Sequence, residues 1–300
     1  MKKIFFIIFL ICYVPSPLLA GEADEGLPMD VSAKIKESAT QVISLGVGNS
    51  AVIKMTKTML ENNFMEQQIL EAHELLIKAK KEDLPEKPIM DKLYEGISKN
   101  IQAEKIVQAM EKVGSRYETA SKYAVRFLGD GEQARVMTGN IAEAMTAGVG
   151  TDDMDRIMEM LQQREMKRDN ASELATETLK TARDMARTGV ESRNIVDVVD
   201  NAFRKGYGSR EMKKLGNAFM TQSRTSSSPS DLANSYSNAI KQGATADSLM
   251  KLSPGRVDGA LGDLPTVSTG GMGSPGVPSS PDVPSSPGIP GEKGMGGPPR

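Results

Sequence analysis

The sequence predicts an all-α protein made of stacked short αα-hairpins, a helical-repeat-like array, followed by a disordered tail rich in Pro, Gly and Ser. Apolar residues recur every three or four positions through residues 30–251, and a short turn motif repeats along the same stretch. Behind a predicted leader, the chain has only nine aromatic residues and no Trp. A core of Leu, Ile, Val, Met and Ala suits closely packed helices better than sheets.

Residues 1–20 have the order of a secretory signal peptide. Two lysines precede an apolar run, Ile4 to Val14, and after two prolines Ala20 provides a small residue for cleavage. The run of eleven residues is shorter than the ~20 that span a bilayer, which disfavours an uncleaved anchor. Large residues before Cys12 disfavour a lipid anchor there. We therefore expect cleavage near Ala20 and a periplasmic or extracellular protein.

Charge and cysteine content limit the classes of partner and site. Cleavage removes the one cysteine, so the mature chain can form neither a disulfide nor a thiolate metal site. It leaves 35 basic and 39 acidic residues, a formal charge of −4. Such a chain has no net positive field for nucleic acid or anionic lipid. We expect no nucleic-acid partner and no membrane span after cleavage.

The repeated turn motif predicts where helices end and begin. A Gly, Asn or Asp suited to left-handed backbone is followed by an apolar residue, and another apolar residue comes five positions later. The left-handed residue closes a helix, the next residue packs back on that helix, and the third opens the next helix. Copies begin at Gly46, Asn63, Asp83, Asn100, Gly148, Gly189, Gly206 and Gly243, with a weaker one at Gly131.

Helix starts carry capping signals. Negative charge at Asp152 and Asp153 favours a first turn, because the helix dipole is positive there. Pro85 and Pro88 fit only a helix start. The predicted N-caps are Asn49, Thr151, Ser192 and Ser209.

Several copies of the motif lie 17 to 20 residues apart, which leaves room for one helix of about three turns and a turn. Two such periods make a hairpin of ~34–40 residues, the size of a helical-repeat unit. The signatures of tetratricopeptide and ankyrin repeats are absent. An irregular helical bundle is the alternative. The predicted helices lie near 30–45, 49–62, 66–81, 86–98, 103–113, 115–128, 132–146, 152–168, 171–188, 192–204, 209–221 and 230–242.

Composition divides the chain into a signal peptide (1–20), a flexible lead-in (21–29), the helical-hairpin domain (30–251) and the tail (252–300). From Gly270 the tail runs in triplets, of which Gly opens seven of ten. Three consecutive triplets begin with Ser279, Asp282 and Ser285, whose side chains would crowd the axis of a collagen triple helix. A solvated polyproline-like spacer is therefore favoured.

No residue pattern gives a catalytic or metal site. His73 has no second His or Cys for a partner, and we expect it at the edge of the apolar face of a helix. The methionines between Met154 and Met166 could hold cuprous ion, but they follow the apolar stripes, so core packing is favoured. Asp152 to Asp155 lack the spacing of a calcium loop. We expect no cofactor and no metal.

The sequence thus predicts a non-enzymatic binding or scaffolding protein with a protein or peptide partner in the cell envelope, because stacked hairpins form extended recognition surfaces. Tyr94, Tyr117, Tyr123 and Tyr207 are candidates for exposed partner-binding anchors, with half-buried packing as the alternative. Two other functions stay open. One is a structural envelope or surface-assembly component with the tail as spacer. The other is a cell-envelope hydrolase that uses unidentified carboxylates.

Overall fold

The computed structural model describes residues 26–165 and 171–251, and in these ranges it contains twelve helices and no strand. The predicted all-α class is confirmed. The predicted signal peptide and the tail lie outside the described residues. The helices are α1 (Ala33–Ser44), α2 (Asn49–Glu61), α3 (Glu66–Lys81), α4 (Lys87–Ser98), α5 (Ala103–Leu128), α6 (Glu132–Ala147), α7 (Thr151–Glu165), α8 (Ala171–Arg187), α9 (Ser192–Arg204), α10 (Ser209–Ser223), α11 (Pro229–Lys241) and α12 (Ala246–Leu249).

The helices stack in layers, because most of them pack on the helix two places along the chain. Helices α2 and α4 are exceptions, since α2 packs on the consecutive helix α1 and α4 on the consecutive helix α5. In the first layer α1 packs on α3 and α3 on α5, and later α6 packs on α8, α8 on α10 and α10 on α12. In the second layer α7 packs on α9 and α9 on α11. Helices α5 and α6 are consecutive, yet they pack on each other within the first layer. This layer therefore passes from odd-numbered to even-numbered helices at the α5–α6 pair.

Helices α1 and α3 run parallel in the first layer. Lys34 Nζ near the start of α1 lies 3.9 Å from Glu66 Oε1 at the start of α3. Further along the same two helices, Ser38 Oγ and His73 Nδ1 lie 3.2 Å apart. The starts of α1 and α3 consequently lie at the same edge of the stack.

The repeated turn motif folds as predicted. All eight left-handed residues have positive φ, from 52° at Asn100 to 125° at Gly148. In seven turns the residue after the left-handed one donates its backbone N–H to the carbonyl five residues earlier, as Phe64 does to Met59 at 3.1 Å. This is the Schellman pattern of helix termination. The apolar residues that open the following helices are at most 1% exposed: Val52, Ile69, Ile89, Ile106, Met154, Ile195, Met212 and Leu249.

Three predicted boundaries were wrong. The helices expected at 103–113 and 115–128 are one helix, α5, because its buried face continues through Gly114 from Val113 to Ala120. The short helix α12 is absent from the predicted helix ranges, although the copy of the motif at Gly243 indicates a helix start there. Gly131 does not close a helix but directly precedes α6.

Predicted N-caps were displaced by one residue. Asn49, Ser192 and Ser209 are the first residues of their helices, and Gly48, Glu191 and Gly208 occupy the caps. Thr151 likewise begins α7. The Ser192 hydroxyl instead accepts the Gly150 N–H at 3.0 Å, so it joins the starts of α7 and α9.

Buried apolar side chains form two cores. The first runs from Leu27 to Val113 and the second from Ala120 to Leu249, and half-buried Tyr117 packs against both. Leu27 belongs to the lead-in expected to be flexible, but it is 6% exposed. The described end of that lead-in thus contributes a side chain to the first core.

Candidate partner-binding site

Three large apolar side chains remain exposed before successive helices of the first layer. Met29 is 99% exposed, Met65 64% and Ile101 45%. They recur every 36 residues and precede α1, α3 and α5. We call these three residues the apolar row. Packed helices lie ~8–10 Å apart, so a row across three of them is about 20 Å long.

Backbone hydrogen bonds fix each position of the row. The Met65 N–H donates to Gln68 Oε1 at 2.9 Å, which holds Met65 at the N-cap of α3. The Ile101 N–H donates to the Gly96 carbonyl at 3.0 Å and closes the turn after α4. Met29 lies in a turn closed by the Val31 N–H and the Pro28 carbonyl at 3.2 Å. The side chains are therefore presented by ordered turns.

The surroundings of the row suit association with another chain. A single exposed apolar residue is ordinary, but aligned large ones rimmed by polar groups are typical of interaction surfaces. The Lys34–Glu66 ion pair lies beside Met65 and provides such a rim. Unbranched Met side chains also adapt to irregular partner surfaces.

The four tyrosines differ in exposure. Tyr123 and Tyr207 are only 7% and 5% exposed, so the expectation of exposed anchors was wrong for these two. They fill the second core, and burial raises the pKa of both to about 12. The Tyr207 hydroxyl donates to the Ala244 carbonyl at 2.7 Å. Tyr94 and Tyr117 are half-buried, and their binding role stays a prediction.

His73 is fully buried rather than at the edge of an apolar face. Its Nε2 lies 2.9 Å from Thr56 Oγ1, and its Nδ1 lies 3.2 Å from Ser38 Oγ. Thr56 Oγ1 already donates to the Val52 carbonyl at 2.9 Å, so Nε2–H donates to Thr56 and the Ser38 hydroxyl donates to Nδ1. Burial lowers the pKa of His73 to about 4. Both nitrogens are thus used in joining α1, α2 and α3.

A cleft of about 420 Å³ opens between the turn after α3 and the α5–α6 pair. Leu84 and Val125 give it apolar walls, and four carboxylates line it. Three of these are in ion pairs: Arg135 Nη2 lies 2.6 Å from Asp83 Oδ2, Lys80 Nζ lies 3.6 Å from Glu86 Oε2, and Lys78 Nζ lies 3.9 Å from Glu82 Oε1. The volume fits a small ligand.

Membrane-spanning helices and metal-binding clusters are both absent from the residues that the structure describes. None of the described helices combines the length and apolarity needed to cross a membrane. Within residues 26–165 and 171–251, His, Cys, Asp and Glu side chains nowhere form a group of three that could hold a metal ion.

The apolar row was not predicted from the sequence, because apolar residues were interpreted as positions in the buried core. The available signal was the recurrence of Met29, Met65 and Ile101 every 36 residues, close to the hairpin period. Interpreting it requires knowing that α1, α3 and α5 are parallel neighbours. No family model, curated protein or solved structure matches this chain. The functional proposal therefore rests on the geometry of the described residues.

Proposed function

We propose that this protein is an exported, non-enzymatic binding or scaffolding protein that meets a protein or peptide partner along the apolar row. The observation that carries this proposal is the recurrence of Met29, Met65 and Ile101 before the starts of α1, α3 and α5, with each side chain exposed by 45% or more. The order of the first twenty residues supports export.

The spacing of the row favours an amphipathic helix as the partner. Residues seven positions apart on a helix lie on the same face and are about 10.5 Å apart. Packed helix axes lie ~8–10 Å apart, so we expect a similar spacing between the side chains of the apolar row. A partner helix with apolar residues every seven positions therefore matches all three side chains at once.

Site-specific photo-cross-linking in intact cells tests the proposal. A photoreactive amino acid replaces Met65 in one variant and Ile101 in another. We expect an adduct with the same partner from both positions, because the two side chains lie on one continuous surface. The readout is the mass of the adduct and the identity of its cross-linked peptide.

Val136 provides the matched control, because it is also a large apolar residue with 56% exposure but lies on α6, away from the row. The photoreactive residue at position 136 should give no such adduct. With the probe at position 65, the pair Met29→Gln and Ile101→Gln should reduce adduct yield at least tenfold. Equal yields from positions 65 and 136, or different partners at 65 and 101, would reject the proposal.

A further inference from the structure

Two turns of the second half of the stack lie side by side. One joins α9 to α10 and contains Tyr207, and the other joins α11 to α12 and contains Ala244. The Tyr207 hydroxyl donates to the Ala244 carbonyl at 2.7 Å. Just beyond the turns, Lys214 Nζ lies 2.7 Å from Asp247 Oδ1. The ends of these four helices therefore share one edge of the stack.

This edge carries four exposed cations: Lys205, Arg210, Lys213 and Lys241. None of them makes an ion pair or a side-chain hydrogen bond with a residue that the structure describes. We call these four residues the basic edge.

The nearby acidic groups already have partners. Asp200 Oδ2 lies 2.8 Å from Arg204 Nε, and Asp247 is paired with Lys214. Glu211 Oε2 accepts the Gly208 N–H at 3.0 Å at the start of α10. Glu211 keeps its negative charge and offsets one of the four cations, but the basic edge retains a net positive charge, although the whole chain has a formal charge of −2.

We propose that the basic edge binds the surface of an anionic phospholipid bilayer. Each Lys or Arg close to such a surface multiplies the affinity about fivefold. Four together bind a protein reversibly without a membrane-spanning segment. This surface lies on other helices than the apolar row and does not depend on a protein partner there.

The chemistry of the edge favours lipid over nucleic acid. Three of the four cations are Lys, which acts as a point charge on a flexible stem and suits mobile lipid phosphates. The adjacent rings of Phe203 and Tyr207 are 7% and 5% exposed, so they offer no platform for stacked bases. The cations also lie at turns and helix ends, where they can face a flat surface.

Vesicle co-sedimentation tests this proposal with the chain purified from a host that exports it. The vesicles contain one part phosphatidylglycerol to two parts phosphatidylcholine, and control vesicles contain phosphatidylcholine alone. We expect binding to the anionic vesicles that weakens steeply with added salt, and none to the neutral ones. The variant with Lys205→Gln, Arg210→Gln, Lys213→Gln and Lys241→Gln should bind more than about a hundredfold more weakly.

The matched control carries Lys57→Gln, Lys81→Gln, Lys105→Gln and Lys112→Gln. These four lysines are exposed, lie in the first half of the stack, and change the net charge by the same amount. Its vesicle affinity should stay within about twofold of the parent. If the fourfold basic-edge variant loses helicity by circular dichroism, its single substitutions decide the question, with about fivefold weakening expected for each.

Three results would overturn the proposal. The first is that the parent fails to bind anionic vesicles. The second is an equal loss of binding in the control variant. The third is tighter binding of the parent to single-stranded DNA or to polyglutamate than to the vesicles at the same salt concentration, which would assign the edge to another class of polyanion.

Discussion

His73 is buried without a charged partner, and two hydroxyl groups satisfy its ring. Burial alone holds its pKa down to about 4 from an ordinary value of 6.5. The neutral ring is therefore the form that stabilises the junction of α1, α2 and α3. This arrangement makes the stability of the first core depend on pH.

Lowering the pH from 6.5 to 4 should destabilise the protein through His73. In this window the unfolded chain binds a proton on His73 and the folded chain does not, so the free energy of unfolding falls as pH falls. The loss approaches about 3 kcal/mol below pH 4. Urea unfolding at several pH values measures it, with His73→Gln as the comparison because this variant lacks the titrating group. Identical pH profiles for the two proteins would contradict the assignment.

Helix ends are determined by left-handed turn residues more than by side-chain caps. Gly189 has φ +93°, and nothing lies within 4 Å of a Cβ added there. Position 189 therefore requires Gly because of its backbone conformation and not because of lack of space. Gly139, inside α6, has equally free space but no positive φ.

The same substitution should consequently have opposite effects at these two glycines. Gly189→Ala should lower the free energy of unfolding by about 1–2 kcal/mol, because Ala resists the left-handed conformation. Gly139→Ala should raise it by up to ~1 kcal/mol, because Ala favours a helix interior. Urea unfolding midpoints measure both. Shifts of the same sign would show that local packing, rather than backbone conformation, controls these positions.

Close approach between α8 and α10 depends on a different glycine. A Cβ on Gly216 would lie 2.7 Å from Thr181 Oγ1, and that hydroxyl donates to the Met212 carbonyl at 3.1 Å. Gly216→Ala should therefore destabilise the protein by about 1–3 kcal/mol through overpacking. Adding Thr181→Ala removes the colliding atom, so the double variant should be more stable than the sum of the single effects predicts. Additive losses in unfolding experiments would rule out this contact as the cause.

At the scale of the whole molecule, the buried side chains that the structure describes form two cores, and Tyr117 of α5 packs against both. In a stacked array each helix depends chiefly on its neighbours. Damage to one core should then spread within that core before it reaches the other.

Phe219→Ala tests this independence. Phe219 is fully buried in the second core and meets Tyr236 edge to face with ring centroids 5.5 Å apart, so its loss should cost about 3–5 kcal/mol. Hydrogen exchange followed by mass spectrometry should show faster exchange in α8 to α12 and little change in α1 to α3. Uniformly faster exchange in all helices would mean that the two cores unfold as one cooperative unit.

Much of the fold could be predicted from the sequence, because its signals are local. Helix ends can be located to within one helical turn from the left-handed residues, such as Asn63 and Gly206, and the apolar residues that follow them. Gly114 misled the prediction because it resembles a helix breaker, whereas the packing of Val113 and Ala120 keeps α5 continuous. The full burial of His73 depends on hydroxyl groups from two other helices. Such contacts cannot be inferred from the spacing of apolar residues in the sequence.

The functional surfaces could be predicted only in part, because they depend on which helix ends become neighbours. Lys205 and Lys241 are 36 positions apart in the sequence and come to the same edge through the stacking of α9 on α11. The overall negative charge also concealed this local positive region. The presence of a tyrosine did not predict an exposed side chain, because the long side chains of Tyr123 and Tyr207 reach the core.

The direct packing of α5 on α6 has an electrostatic consequence. Helix α6 runs antiparallel to α5, since Arg116 Nη1 in the middle of α5 donates to Thr146 Oγ1 near the end of α6 at 3.1 Å. Helix α8 follows the direction of α6, because Arg183 Nη1 lies 2.7 Å from Glu143 Oε2 near the ends of both helices. The dipoles of α6 and α8 therefore oppose those of α1, α3 and α5, and a charged ligand lying across this layer would encounter a reversal of backbone polarity at the α5–α6 pair.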